Sequence, residues 1–364
     1  MMFDIAEVVP TFGGGGVITP IEPPAPYPGG KRRAAQLVWE ALGPVKTFVD
    51  PFCGMLAVPL ACPWGPRPNE VVNDIDALLV NAFRAIAAAP AEVARHVDWP
   101  ISEVDLLARR DELVRRRREI RAKLRADPRT YDAELAGWWL WGACQWIGGA
   151  WAAEAHQGRD GQPRCEEKRP ALSRPARGIL RARRDAAPKA MGGEKRPLLS
   201  SLGHGVFRPG TDVEAQMFAI AARIRAMKIV SGGWRRVLGR STLGLDTAHG
   251  LTPTGIFLDP PYDHAVRSRV RIYAHDSAKT SAEVRAWALT HGDDPRLRVV
   301  LAGYAKEHGP HMPPTWRCVA WKSQSGTKNA DQERLWLSPH CLGGTAAEPL
   351  FVRAREAEGK VPRT

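Results

Sequence analysis

Asp259-Pro260-Pro261-Tyr262 is the run of residues with the most chemistry to offer. It follows the apolar stretch Gly255-Ile256-Phe257-Leu258, so a short strand delivers an acid, two prolines and an aromatic to its carboxyl end. In open α/β sheets that is the end at which ligands bind. An exocyclic amine on a nucleobase is a poor nucleophile, because its lone pair is delocalised into the ring. Two acceptors placed on its two hydrogens favour the pyramidal form, whose lone pair is free. The Asp259 carboxylate supplies one acceptor and the Pro260 carbonyl the other. Pro260 and Pro261 fix φ and remove competing N–H donors, so the turn presents acceptors only. Tyr262 offers a ring face for a base taken out of its stack.

Three further segments fit the handling of a nucleoside. In Val49-Asp50-Pro51-Phe52-Cys53-Gly54, glycine allows a tight turn whose backbone approaches a ligand with no Cβ in the way. Asp74 ends Val71-Val72-Asn73-Asp74, 20 residues beyond Gly54, where an acid can accept both hydroxyls of a ribose. Asp76 is placed instead to cap the next helix. Tyr27-Pro28-Gly29-Gly30-Lys31 precedes the first helix; taken alone, its Gly-Gly-Lys reads as a plain helix-start turn.

The elements that must position these residues alternate. The pattern predicts a helix over 32–42, strands over 45–50 and 70–73, and a helix over 77–89, the rhythm of a parallel sheet with crossover helices. It then predicts an amphipathic helix over 103–126, with Leu106, Leu113, Ile120 and Leu124 on one face and the run Arg115 to Arg118 on it. That run fits either a solvated face or phosphate contact. A helix over 134–154 carries Trp138, Trp139, Trp141, Trp146 and Trp151 nearly all round, which reads as core. Residues 155–211, rich in Arg, Pro and Gly, read as a long basic loop or loosely ordered lobe. A helix over 213–227 follows, then strands at 229–230, 255–258, 297–301, 318–321 and 334–337, with a helix over 281–290. The expected fold is thus an α/β domain split by a basic, mainly helical insertion.

Composition sets the outer bounds. The 364 residues are 44% hydrophobic, which supports a packed core. No long apolar run predicts a membrane span; residues 1–26, rich in Gly and Pro, read as a loose arm, and no basic-then-apolar pattern there predicts a secretory signal. None of the six cysteines forms a Cys-x-x-Cys pair, and the histidines, among them His204, His249, His264 and His275, show no metal-ligand spacing. A reducing cytoplasm is the simplest location. The net charge of +13 points to a polyanionic partner, and residues 101–236 hold 28 Lys/Arg against 16 Asp/Glu, nearly all of that excess. No phosphate-loop signature is present.

Together these residues resemble the Dam-type family of adenine-N6 DNA methyltransferases. Asp259–Tyr262 is similar to the Asp-Pro-Pro-Tyr signature of amino-methyltransferases acting on nucleic-acid bases. Asp50–Gly54 looks like the Asp-Pro-Phe-x-Gly-x-Gly loop that holds the methionine part of S-adenosylmethionine, with Leu56 where a second glycine is usual. Tyr27–Lys31 resembles the Trp-x-Gly-Gly-Lys segment, with Tyr27 in place of the tryptophan. Gly233, in Gly232-Gly233-Trp234, stands where the family often has an acid or polar residue near the cofactor adenine. Trp234 suits either stacking on that adenine or the core. The stretches Leu301–Tyr304 and Glu333–Pro339 look like those of phage-type members, which implies a role in protecting DNA from host restriction. The likeness covers roughly residues 27–90 and 226–342.

The resemblance implies a Rossmann-like, S-adenosylmethionine-dependent methyltransferase sheet with an inserted, mainly helical basic domain. It implies an arm over 1–26, a cofactor-binding half over 27–100, a target-recognition insertion over 101–225, a catalytic half over 226–345 and a tail over 346–364. DNA is the implied partner and S-adenosylmethionine the cofactor, with neither metal nor membrane. Tyr27, Gly29, Gly30, Lys31, Asp50, Pro51, Phe52, Gly54, Asp74 and Asp259 are the expected cofactor residues. Asp259, Pro260, Pro261 and Tyr262 are the expected catalytic ones. Three rivals stay open. A cytosine-N4 methyltransferase more often carries Ser where Asp259 stands. RNA or protein-glutamine methyltransferases share Pro-Pro-Tyr but usually lack the Gly-Gly-Lys segment and so large a basic insertion. A DNA-binding protein on a decayed methyltransferase fold would account for Leu56 and Gly233.

Overall fold

A computed structural model describes residues 20–27, 29–100, 102–146, 151–152, 212–246, 252–262, 279–321 and 333–343. The basic segment 155–211, the tail 346–364, most of the arm, and His204, His249, His264 and His275 lie outside the described residues.

Seven strands form one sheet in the order β3-β2-β1-β4-β5-β7-β6. They are β1 (Thr47–Asp50), β2 (Asn69–Asp74), β3 (Met227–Ser231), β4 (Thr254–Leu258), β5 (Leu297–Tyr304), β6 (Arg317–Ala320) and β7 (Glu333–Leu337). The first five are parallel, and β7 runs antiparallel between β5 and β6. The chain order reverses at β1, which lies between β2 and β4, so the crevice for a ligand opens at the carboxyl ends of those strands.

Alternation along the strands builds two of the three cores. Phe48, Phe257, Val300, Ala302, Leu335 and Leu337 face one way, against α1 (Ala35–Leu42). Val49, Ile256, Leu258, Val299 and Leu301 face the other way, with Val284 and Ala288 of α8 (Thr280–His291). The third core lies toward β2 and β3. Val72 and Met227 meet there with α2 (Ala57–Leu60), α3 (Ala77–Ala88), α4 (Pro90–Val97), α5 (Glu103–Ala126), α6 (Ala133–Gln145) and α7 (Val213–Ile224). α5, α6 and α7 therefore share one core with α3. The remaining α-helix among the described residues is α9 (Ala305–His308). No helix among the described residues is long and apolar enough to cross a membrane.

Most expected elements occur within a few residues of their expected ends, and α5 has the expected bounds. Three differences have local causes. α4 was not expected, and it begins on Pro90, whose fixed φ suits a first helical turn. α6 stops at Gln145 instead of running on to 154; Trp151 folds back so that its ring packs on Gly142 and its Nε1 donates to Trp139 O at 3.0 Å. α7 stops at Ile224, and Met227 opens β3. Of the five tryptophans read as core, Trp139, Trp141, Trp146 and Trp151 are buried and Trp138 is partly buried.

Candidate active site

The turn at Tyr27 builds one wall of the crevice. Gly30 N donates to Tyr27 O at 2.9 Å, and Gly29 has a φ of 75°, left-handed backbone that favours glycine. This turn lays the Tyr27 ring on Gly54. A Cβ on Gly54, whose φ is 45°, would lie 2.8 Å from that ring, so the two family-like segments meet at a point only glycine fits. The turn also aims Lys31 inward: its Nζ donates to Gly29 O at 2.6 Å and lies 3.0 Å from Asp259 Oδ1.

Asp259 leaves the carboxyl end of β4 with its side chain 13% exposed. Its Oδ1 is buried and accepts no aligned hydrogen bond, despite the nearby ammonium. Lys31 also lies 4.0 Å from Glu333 Oε2 and over the rings of Tyr262, at 5.0 Å, and Trp321, at 5.7 Å. The Tyr262 hydroxyl donates to Glu333 Oε2 at 2.9 Å, and its ring meets Tyr304 edge-on at 4.6 Å. Burial pushes the Asp259 carboxyl up to about 6 although Lys31 pulls it down, and Glu333 adds to the rise. Burial works against the Lys31 charge, but Asp259 and Glu333 outweigh it and hold the ammonium above the usual lysine value.

The second wall is built on β1 and β2. Asp50, buried at the end of β1, accepts from Phe52 N at 3.1 Å. Burial raises its carboxyl well above the usual range, and the charges of Asp259 and Asp74 add to this. Asn73 Nδ2 donates to Pro51 O at 2.9 Å and to Gly232 O at 3.1 Å, tying the β1 and β3 loops together. Asp74, at the end of β2, accepts from Asp76 N at 2.8 Å and Gly54 N at 3.3 Å. Burial raises it to about 7, with Asp76 contributing, while the backbone N–H groups of Asp76, Gly54 and Ile75 oppose the rise. Asp76 caps α3 as expected, accepting from Leu78 N at 3.0 Å.

Leu56 keeps the glycine-like shape of the loop. Its φ is 61° and ψ 27°, the left-handed region, and its side chain is fully buried. That conformation costs about 1–2 kcal/mol for a non-glycine residue, and burying a leucine side chain contributes about 1.5–3 kcal/mol. Core packing of the side chain thus offsets the backbone cost at Leu56. Gly233 has open space around it, since a Cβ there would meet nothing within 4 Å. Beside it the Trp234 ring lies 6.2 Å from Phe52 and carries Arg235 at 4.4 Å.

These observations fit a bound S-adenosylmethionine. A partly buried acid ends β2 for the ribose, a glycine turn without side-chain bulk follows β1, and open space at Gly233 lies beside two rings. Asp50, Asp74 and Asp259 converge around these loops and suit a cationic ligand. The site thus draws together Tyr27, Lys31, Asp50, Phe52, Gly54, Asp74, Asp259 and Tyr262 of the expected residues. Pro51 and Pro260 are buried in its loops, Pro261 is partly buried, and Gly29 and Gly30 are exposed in the turn that orients Lys31. Sequence reasoning missed Glu333, Tyr304 and Trp321 as site residues, although Tyr304 and Glu333 stood in stretches with a family likeness.

The four-arginine run has partners inside the protein. Arg115 pairs with Glu112 at 2.5 Å and Arg116 with Asp132 at 2.5 Å. Arg117 is buried, bonded to Asp76 Oδ1 at 2.7 Å and Ala152 O at 2.8 Å. Arg109, on the same face of α5, lies within 4.4–5.5 Å of the rings of Trp99, Trp138 and Trp141. The buried face of α5 thus holds two arginines among its leucines, which the apolar spacing alone did not reveal.

A parallel sheet that reverses at β1, an antiparallel β7 and acids at the ends of β1, β2 and β4 define the S-adenosylmethionine-dependent methyltransferase fold. Residues 27–129 match the family model described as D12 class N6 adenine-specific DNA methyltransferase. The match identifies a domain of that family and with it the reaction: S-adenosylmethionine-dependent methylation of adenine N6 in DNA. No curated protein matches the chain.

Proposed function

We propose that Asp259 is the residue on which the transfer turns. Its buried Oδ1, left without an aligned donor beside Lys31, is the observation that carries this reading. It accepts one hydrogen of the adenine amine while the Pro260 carbonyl accepts the other, and the lone pair is released from the ring. The target base reaches them by leaving the duplex stack, with Tyr262 and Pro261 bounding its pocket. S-adenosylmethionine, when bound, supplies an electrophilic methyl group. Tyr27, Phe52, Gly54, Asp50 and Asp74 line its place, with Asp74 accepting the ribose hydroxyls and Lys31 steadying the loop between cofactor and base. Alignment of the two substrates provides much of the acceleration. The amine becomes acidic once alkylated, so Asp259 need not be a strong base. The insertion 101–225, above all the basic segment 155–211, grips DNA through phosphates.

The test is methyl transfer from labelled S-adenosylmethionine to unmethylated duplex DNA, with digestion and mass identification of the nucleosides. N6-methyladenine is expected from the native protein. Asp259→Ala is expected to lose at least about a hundredfold in kcat while still binding cofactor; retained activity in this variant overturns the reading. Deleting residues 155–211 is expected to weaken DNA affinity and flatten its salt dependence, and an unchanged affinity moves the DNA contact elsewhere.

A further inference from the structure

We propose that Glu333 is a positioning residue for the transfer, resting on the reading of Asp259 above: its carboxylate takes the single hydrogen of the Tyr262 hydroxyl and shares Lys31, which keeps Asp259 open as an acceptor for the substrate amine. The argument begins with register. Glu333 is the first residue of β7 and lies opposite Tyr304, the last of β5, so the antiparallel pairing delivers its side chain to the same end of the sheet as Asp259. It is buried, and a buried carboxylate without partners is costly. Its partners here are the Tyr262 hydroxyl at 2.9 Å and the Lys31 ammonium at 4.0 Å.

A phenol has one hydrogen to give. Two carboxylates compete for it, because the Tyr262 hydroxyl also counts among the hydrogen-bonding groups on Asp259. The 2.9 Å contact to Glu333 Oε2 draws that hydrogen away from Asp259. With Glu333 removed, the same hydroxyl turns to Asp259 and fills the acceptor that the amine needs. The shared lysine works the same way. Lys31 pairs with Asp259 Oδ1 at 3.0 Å, but it also donates to Gly29 O at 2.6 Å and lies 4.0 Å from Glu333, so its charge is shared between the two carboxylates. Glu333 therefore acts through Tyr262 and Lys31 and need not touch the substrate.

The experiment compares Glu333→Ala, Glu333→Gln and the double variant Glu333→Ala/Tyr262→Phe in the methyl-transfer assay with the full chain. Glu333→Ala is expected to lower kcat by roughly tenfold to a hundredfold, by analogy with the loss of outer-shell partners at metal sites, with cofactor KM little changed. Tyr262→Phe in that background removes the misdirected hydroxyl and is expected to restore part of the lost kcat, which a merely structural role would not allow. Glu333→Gln still accepts the phenol hydrogen but lacks the charge. It is expected to keep more activity than Glu333→Ala and to move the acid limb of the pH profile to lower pH, because the Glu333 charge holds the Asp259 carboxyl up. Should Glu333→Ala fail to fold, the Gln variant decides by that limb alone. Wild-type kcat in Glu333→Ala, no recovery in the folded double variant, or an unmoved acid limb in Glu333→Gln overturns the proposal. Asp259→Ala separates the two readings: if it stays active the reading of Asp259 falls, and if it is dead while the Glu333 variants behave as wild type, only this inference falls.

Discussion

Charge is used in opposite ways at the carboxyl end of the sheet and along α5. At the sheet, Asp50, Asp74 and Asp259 converge with Lys31 as the cation that Asp259 meets, and their carboxyls are raised because burial is not fully compensated. Along α5, arginine is dense, yet Arg115, Arg116 and Arg117 each meet a carboxylate of the protein. The first region keeps acceptor capacity open and the second closes it. A crowded charge run in a sequence is therefore weaker evidence of a binding surface than a few acids whose burial lacks full compensation.

Four changes sharpen or break this comparison. The largest expected effect is at Arg117, where Arg117→Ala leaves Asp76 buried without its cation and is expected to cost about 3–5 kcal/mol in denaturant unfolding. A loss near zero would mean the arginine serves something other than the fold. Next, Asp74→Ala removes an acceptor for ribose hydroxyls, and hydrogen bonds to a charged group contribute about 1.5–3 kcal/mol. Calorimetry should show cofactor affinity reduced by roughly tenfold to a hundredfold, and full affinity in this variant would remove Asp74 from the cofactor site.

The third is pH. Asp74 titrates at about 7 and Asp259 at about 6 in the fold, against 3.8 for an ordinary aspartate. The folded chain therefore binds more protons than the unfolded chain between about pH 4 and pH 7, and these two groups make the ligand-free protein less stable as pH rises through that window. The ionised acids are the stronger hydrogen-bond acceptors, so cofactor affinity should rise as pH passes 7 and transfer should rise as it passes 6. Affinity flat across pH 6–8 would contradict this assignment. The smallest effect is expected at Arg115, exposed and paired with Glu112. Arg115→Ala should leave stability and the salt slope of DNA binding unchanged, whereas a slope reduced by about 0.9 would reveal a phosphate contact.

Much of this was legible in the chain. Periodicity gave the strands, Asp76 before Ala77 marked a helix start, and Asp-Pro-Pro-Tyr after an apolar strand pointed to the carboxyl end of the sheet. These are local signals, because a cap, a turn or an alternation is set by residues a few positions apart. The end of α6 was missed, since Trp151 turns back onto Gly142 only within the packed core.

The sequence by itself therefore determined most of the elements, the glycine turn after β1 and the acid at the end of β4. Only the tertiary structure decided that Glu333, 71 residues beyond Tyr262, meets its hydroxyl, that Leu56 holds a glycine-like turn from within the core, and that Arg109 and Arg117 of α5 turn inward. The reason is that strand order, register and the partner of a buried charge depend on residues distant in the chain, where spacing along it carries no information.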